Sequence, residues 1–125
     1  MTSPDETAGG ASDSSGAVNA ETIRQLREMA GEEGYAEIRA EFLSATEKSL
    51  VEMARAAEGG DVEVLRRRIH ALKGAGGSLG ASRLEASCRE IERGLAAASR
   101  ADRVAAVARL DGEFKAVRLA LEGGA

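Results

Sequence analysis

Aromatic residues are nearly missing from this chain: Trp is absent, and only Tyr35, Phe42 and Phe114 carry rings, 2% of 125 residues. A core with so few rings has to be built mainly from Leu, Ile, Val, Met and Ala, a set that suits helix-on-helix packing better than a sheet. The same shortage removes the stacking platform of a single-strand nucleic-acid binder, and a formal charge of -4 removes the basic surface. The lone cysteine, Cys88, permits neither an internal disulfide nor a Cys-rich metal site, which fits a reducing compartment. No apolar run approaches the ~20 residues of a membrane span, and the N-terminus lacks the basic start and apolar middle of a secretory signal. The expectation is a soluble cytoplasmic protein with protein partners, no nucleic acid and no membrane.

What is present is helical periodicity in segments separated by glycine. Residues 1–18 are small and polar, the composition of a flexible tail, and 123–125 form a free end, leaving residues 19–122 as one domain. Asn19 is placed to cap a short helix carrying Ile23, Leu26 and Met29, ended by Gly31 and Gly34. A long helix follows from about Tyr35 to Glu58 through Ile38, Phe42, Leu43, Thr46, Leu50, Met53 and Ala57, until Gly59-Gly60 stops it. Met29 and Met53 read as core filler. Asp61 caps a third helix, Ser82-Arg83-Leu84-Glu85 matches a capping box for a fourth, and Ser99 caps a fifth. The fourth follows Leu84, Cys88, Ile91 and Leu95; the fifth turns Val104, Val107, Leu110, Phe114, Val117 and Leu121 inward. Short turns make successive helices antiparallel neighbours. The predicted fold is all-α: an antiparallel up-down four-helix bundle with a short additional N-terminal helix.

The third helix holds the one histidine. Val62, Leu65, Ile69, Leu72, Gly76 and Leu79 recur at spacings of three and four, the pattern of a buried helical face. His70 falls about 100° round the helix from Ile69, beside the core and toward solvent. Arg66 and Arg67 precede it on the same side; Lys73, Gly74 and Gly77 follow. Each interior glycine costs roughly 1 kcal/mol of helix stability relative to Ala, so Gly74 and Gly77 read as a flattened surface on which a partner's backbone approaches the imidazole. Gly76 lies on the core side, where close packing on a neighbouring helix is the simplest account. An exposed imidazole offers a ring-nitrogen lone pair to an electrophile such as phosphorus, and the nearby cations offset phosphoryl charge. No phosphate loop, acid-base pair or metal set accompanies it, so the chemistry reads as that of a carrier completed by its partner, without autonomous kinase activity and with no cofactor of its own.

His70-Ala71-Leu72-Lys73-Gly74, followed by Leu79-Gly80-Ala81, resembles the H-x-L-K-G…LG motif of histidine-containing phosphotransfer domains. Glu41-Phe42-Leu43, the Gly60-Asp61 turn and Cys88-Arg89-Glu90-Ile91-Glu92 are similar to that family's flanking segments, so the likeness runs from about Asn19 to Leu121. The resemblance implies that His70 takes a phosphoryl group from the aspartate of one receiver domain and passes it to another. It implies that Lys73 neutralises phosphate, that Gly74 leaves room for the docking partner, and that Glu92 orients the imidazole through its Nδ1 proton. Magnesium is then expected on the partner receiver domain, and the chain is expected to act as a monomer. Two other readings stay open: a helical adaptor docking through the same surface without chemistry, and the substrate domain of a chemotaxis-type kinase. Cys88, on the apolar stripe, reads as a buried core thiol.

Overall fold

The computed structural model describes residues 16–123; the expectations for 1–15 and for 124–125 lie outside the described residues. Four helices follow one another, α1 (Ala20–Gly59), α2 (Val62–Ser78), α3 (Ser82–Gly94) and α4 (Arg100–Gly123), with a 3-10 turn at Leu95–Ala97 between the last two. No strand occurs among the described residues. Each helix packs on the next, and α4 returns against α1, closing a four-membered ring. No helix among the described residues is long and apolar enough to cross a membrane.

The local signals act where they were read. Asn19 accepts from Thr22 N at 3.0 Å and Asp61 from Val64 N at 3.2 Å, each satisfying an amide of the first turn. Ser99 Oγ accepts from Asp102 N while Asp102 Oδ2 accepts from Ser99 N, both at 3.0 Å, a reciprocal box. Gly60 stops α1 in the left-handed conformation, φ 81°. The core gathers Met53, Leu65, Ile69, Leu84, Cys88, Leu110 and Leu121, with Phe42 and Phe114 in tilted contact, their ring centres 6.1 Å apart.

The short first helix does end at Gly31 as expected: its φ of 77° and ψ of 167° are non-helical, so α1 is two helical segments joined across a kink there. Other expectations change. Gly34 does not end a helix; it lies within α1, and a Cβ there would come 3.1 Å from that of Ala30 across the bend. Met29 is not core filler: it is 83% exposed, because Ile23 and Leu26 already occupy the face that meets the bundle. Ile38 is also exposed, at the edge of a groove with Phe42, Ala45, Ala75 and Leu79. Ala17 is buried and Val18 packs on the core, so two residues assigned to the tail contribute to the fold. The Ser82–Glu85 box does not form. Ala81 occupies the N-cap position, its carbonyl accepting from Glu85 N at 2.9 Å, because the tight turn starts α3 one residue early.

That turn fixes how α2 meets α3. Gly80 has φ 72°, and a Cβ there would lie 2.8 Å from Thr22 Cβ, so both backbone conformation and space demand glycine. Asn19 N donates to Gly80 O at 2.8 Å, anchoring the start of α1 on the same turn.

Candidate functional site

His70 and Ile69 are consecutive on α2 and face opposite ways: the Ile69 side chain is fully buried and the His70 side chain is 70% exposed. Three residues on, one helical turn along the same face, stands Lys73. Glu92 comes from α3, brought across the α2–α3 interface by the turn at Gly80. Its two carboxylate oxygens take different partners: Oε2 lies 2.9 Å from His70 Nδ1 and Oε1 accepts from Lys73 Nζ at 2.6 Å. Lys73 and Glu92 are largely covered, with side chains 25% and 21% exposed.

The Lys73 ammonium, more than the His70 contact, holds the Glu92 carboxyl below the usual carboxylate range, against the desolvation that partial burial imposes. An ionised carboxylate only accepts hydrogen bonds, so His70 donates to it through Nδ1–H. In the neutral ring this leaves the Nε2 lone pair free.

The flanking residues are unequal. Gly74 is exposed, and a Cβ built on it would meet nothing within 4 Å, so the surface beside His70 is open there. Gly77 is faced from inside the molecule: a Cβ would come 3.2 Å from the Glu85 carboxylate, which itself accepts from Arg89. Gly76 is buried, yet a Cβ there would sit 3.5 Å from Leu84, an ordinary contact, so packing does not require glycine. Ser78 Oγ donates to the Gly74 carbonyl at 3.1 Å, supporting the helix where side chains are smallest.

The cationic rim is thinner than the sequence suggests. Arg68 pairs with Glu52 on α1, and Arg66 stands 3.9 Å from Glu63. Lys73 is committed to Glu92. Arg67 is exposed and makes no ion pair among the described residues. Below the site, Cys88 is buried; desolvation first, then the Glu92 charge, push its thiol up to about 12, so it stays protonated and unreactive. No group of three or more metal-ligating side chains occurs among the described residues. Glu85 was missed as a neighbour of this face; its only trace in the sequence is the four-residue spacing to Arg89.

The arrangement is a solvent-facing nucleophilic nitrogen with its ring held from the protein side. Residues 37–120 match the Hpt domain family. No curated protein matches the chain. Among solved structures, histidine-containing phosphotransfer protein B from Pseudomonas aeruginosa PAO1 superposes with a TM-score of 0.77 at 24% identity, over 85% of this chain and 91% of that one.

Proposed function

Because the Hpt match spans most of its length, the chain belongs to the Hpt domain family, proteins of histidine phosphotransfer in phosphorelays, and we propose that His70 is its phosphoacceptor, served by receiver domains on both sides. The observation that carries this reading is the Glu92 contact to Nδ1, which leaves Nε2 of a largely exposed ring as the free lone pair. The lone pair attacks the phosphorus of a receiver's aspartyl phosphate. The P–O bond breaks, the receiver's carboxylate departs, and the phosphoryl group remains on Nε2. A second receiver's aspartate reverses these bond changes. Magnesium, on this reading, is carried in the receiver's acidic pocket, and the bundle supplies the histidine, its orientation and an open approach over Gly74. Lys73 supports the phosphoryl charge.

Incubation with a phosphorylated receiver tests the proposal. Acid-labile, base-stable label should appear on the wild-type chain and be absent from His70→Gln. Undiminished labelling of His70→Gln sinks the assignment. Stable receiver binding by both proteins without transfer would instead identify an adaptor.

A further inference from the structure

Buried polar atoms in folded proteins are nearly always hydrogen-bonded, so each exception needs an explanation. Among the described residues four such side-chain atoms lack a partner, and two of them, Tyr35 Oη and Arg27 Nε, belong to residues lining one cleft. Tyr35 is only 1% exposed. The cleft encloses about 320 Å³ between the two segments of α1 that meet at the Gly31 kink and the end of α4. Val18, Ile23, Ala120 and Leu121 give it apolar walls, and it shares no residue with the His70 site. The charges around it are unevenly paired. Arg24 donates to both Glu21 and Glu28. Arg27 reaches only Glu32, at 3.5 Å and without a hydrogen bond from Nε. Its guanidinium lies 4.8 Å from the Tyr35 ring centre, and that of Arg39, which forms no ion pair among the described residues, lies 5.5 Å from it. Two cations thus gather on one buried tyrosine.

We propose that this cleft binds a small organic monocarboxylate, whose carboxylate accepts from Tyr35 Oη–H and Arg27 Nε–H and whose apolar body lies against Val18, Ile23, Ala120 and Leu121. The donors select the headgroup. An arginine Nε–H only donates and a phenol O–H donates readily, so a group that only accepts, as an ionised carboxylate does, answers both. Hydrogen bonds to a charged acceptor are the strong ones, and screening from water strengthens them further. One guanidinium edge and one hydroxyl match a monoanion better than a dianion, with a second carboxylate already near the same Nε. Glu32, 76% exposed, yields that loose contact at little cost. The walls select the rest of the ligand: pockets for small molecules are mostly apolar with a few polar groups that fix orientation, and this volume, at the small end of their range, suits a short chain or a single ring. Because the lining comes from the first segment of α1, from Tyr35 beyond the kink and from α4, a bound carboxylate ties the three together and stabilises the fold by mass action.

The test titrates isotope-labelled full-length protein with sodium hexanoate and follows the backbone amides and the Arg27 Nε resonance by NMR. Saturable shifts should gather at Val18, Ile23, Arg27, Tyr35, Ala120 and Leu121, with a dissociation constant on the order of 1 mM. Hexanol, the same chain without the charge, and inorganic phosphate, a charge without the chain, should each bind at least about tenfold more weakly. Tyr35→Phe should be at least as stable as the wild type, because it removes an unpaired buried hydroxyl, yet bind hexanoate about tenfold less tightly. Arg27→Lys, which keeps the charge but loses the Nε–H, should weaken binding similarly. Arg118→Lys removes an unpartnered Nε at a different cleft and should bind as the wild type does. Equal binding of hexanol would reveal an apolar crevice only, and equal shifts with phosphate a general salt effect; either overturns the proposal. So does undiminished binding by Tyr35→Phe, or a clear loss of stability in that variant, which would mean that the hydroxyl is already bonded within the fold. Absence of saturable shifts in the wild type up to ~20 mM hexanoate overturns it as well, the result expected if ordered water satisfies both donors.

Discussion

Glu92 reaches from α3 to place Oε2 2.9 Å from His70 Nδ1, joining residues 22 positions apart in the chain. The same carboxyl is held below its ordinary range by Lys73 first and His70 second. A carboxyl depressed on folding contributes stability that is present above its unfolded value, near 4.5, and is lost as pH falls through the lower folded value. Glu92→Gln lacks that contribution. The stability gap between wild type and Glu92→Gln, read from urea midpoints, should therefore be wider at pH 6 than at pH 3. A gap that does not narrow on acidification contradicts the ionised pairing.

Gly74 sets stability against access. It lies inside α2 with open space where a side chain would point. Gly74→Ala should raise stability by roughly 1 kcal/mol, the helix-propensity difference. A bulkier Gly74→Leu should fold equally well but slow phosphoryl transfer from a receiver by on the order of 10–100-fold, because a small misplacement of the reacting atoms has that effect. Labelling by phosphoramidate, too small to be obstructed, should hardly change. Equal loss with both donors would place the defect in the histidine rather than in docking.

Two nearby glycines should respond oppositely to the same substitution. Gly76→Ala meets Leu84 at ordinary contact distance and should stabilise the bundle by about 0.5–1 kcal/mol. Gly80→Ala places a Cβ against Thr22 at a left-handed φ and should destabilise it by at least about 1–2 kcal/mol. Chemical denaturation of the two variants decides the matter, and a Gly80→Ala protein as stable as the wild type would contradict the described turn.

Arg67 is the exposed cation near His70 without an ion pair among the described residues. If it steers an acidic receiver pocket, transfer should slow as salt rises, and Arg67→Glu should slow it further while flattening that salt dependence. Stopped-flow or quench-flow rates at two ionic strengths provide the measurement. Salt-insensitive transfer in the wild type would exclude steering by this residue.

The sequence by itself determined whatever depends on contacts within a turn or two. The caps at Asn19, Asp61 and Ser99, the stop at Gly60 and the opposed directions of Ile69 and His70 all follow from neighbours three or four residues apart. Met29 and the Ser82–Glu85 box were misread because a helical period does not say which face meets another helix, nor where a tight turn releases the chain. Only the tertiary structure decided that His70 and Lys73 share one carboxylate. The resemblance brought Glu92 toward the ring, but that one carboxylate also holds Lys73 follows from the register of α3 on α2. That register is set by the left-handed Gly80 pressed against Thr22, a long-range steric fit that no local pattern encodes.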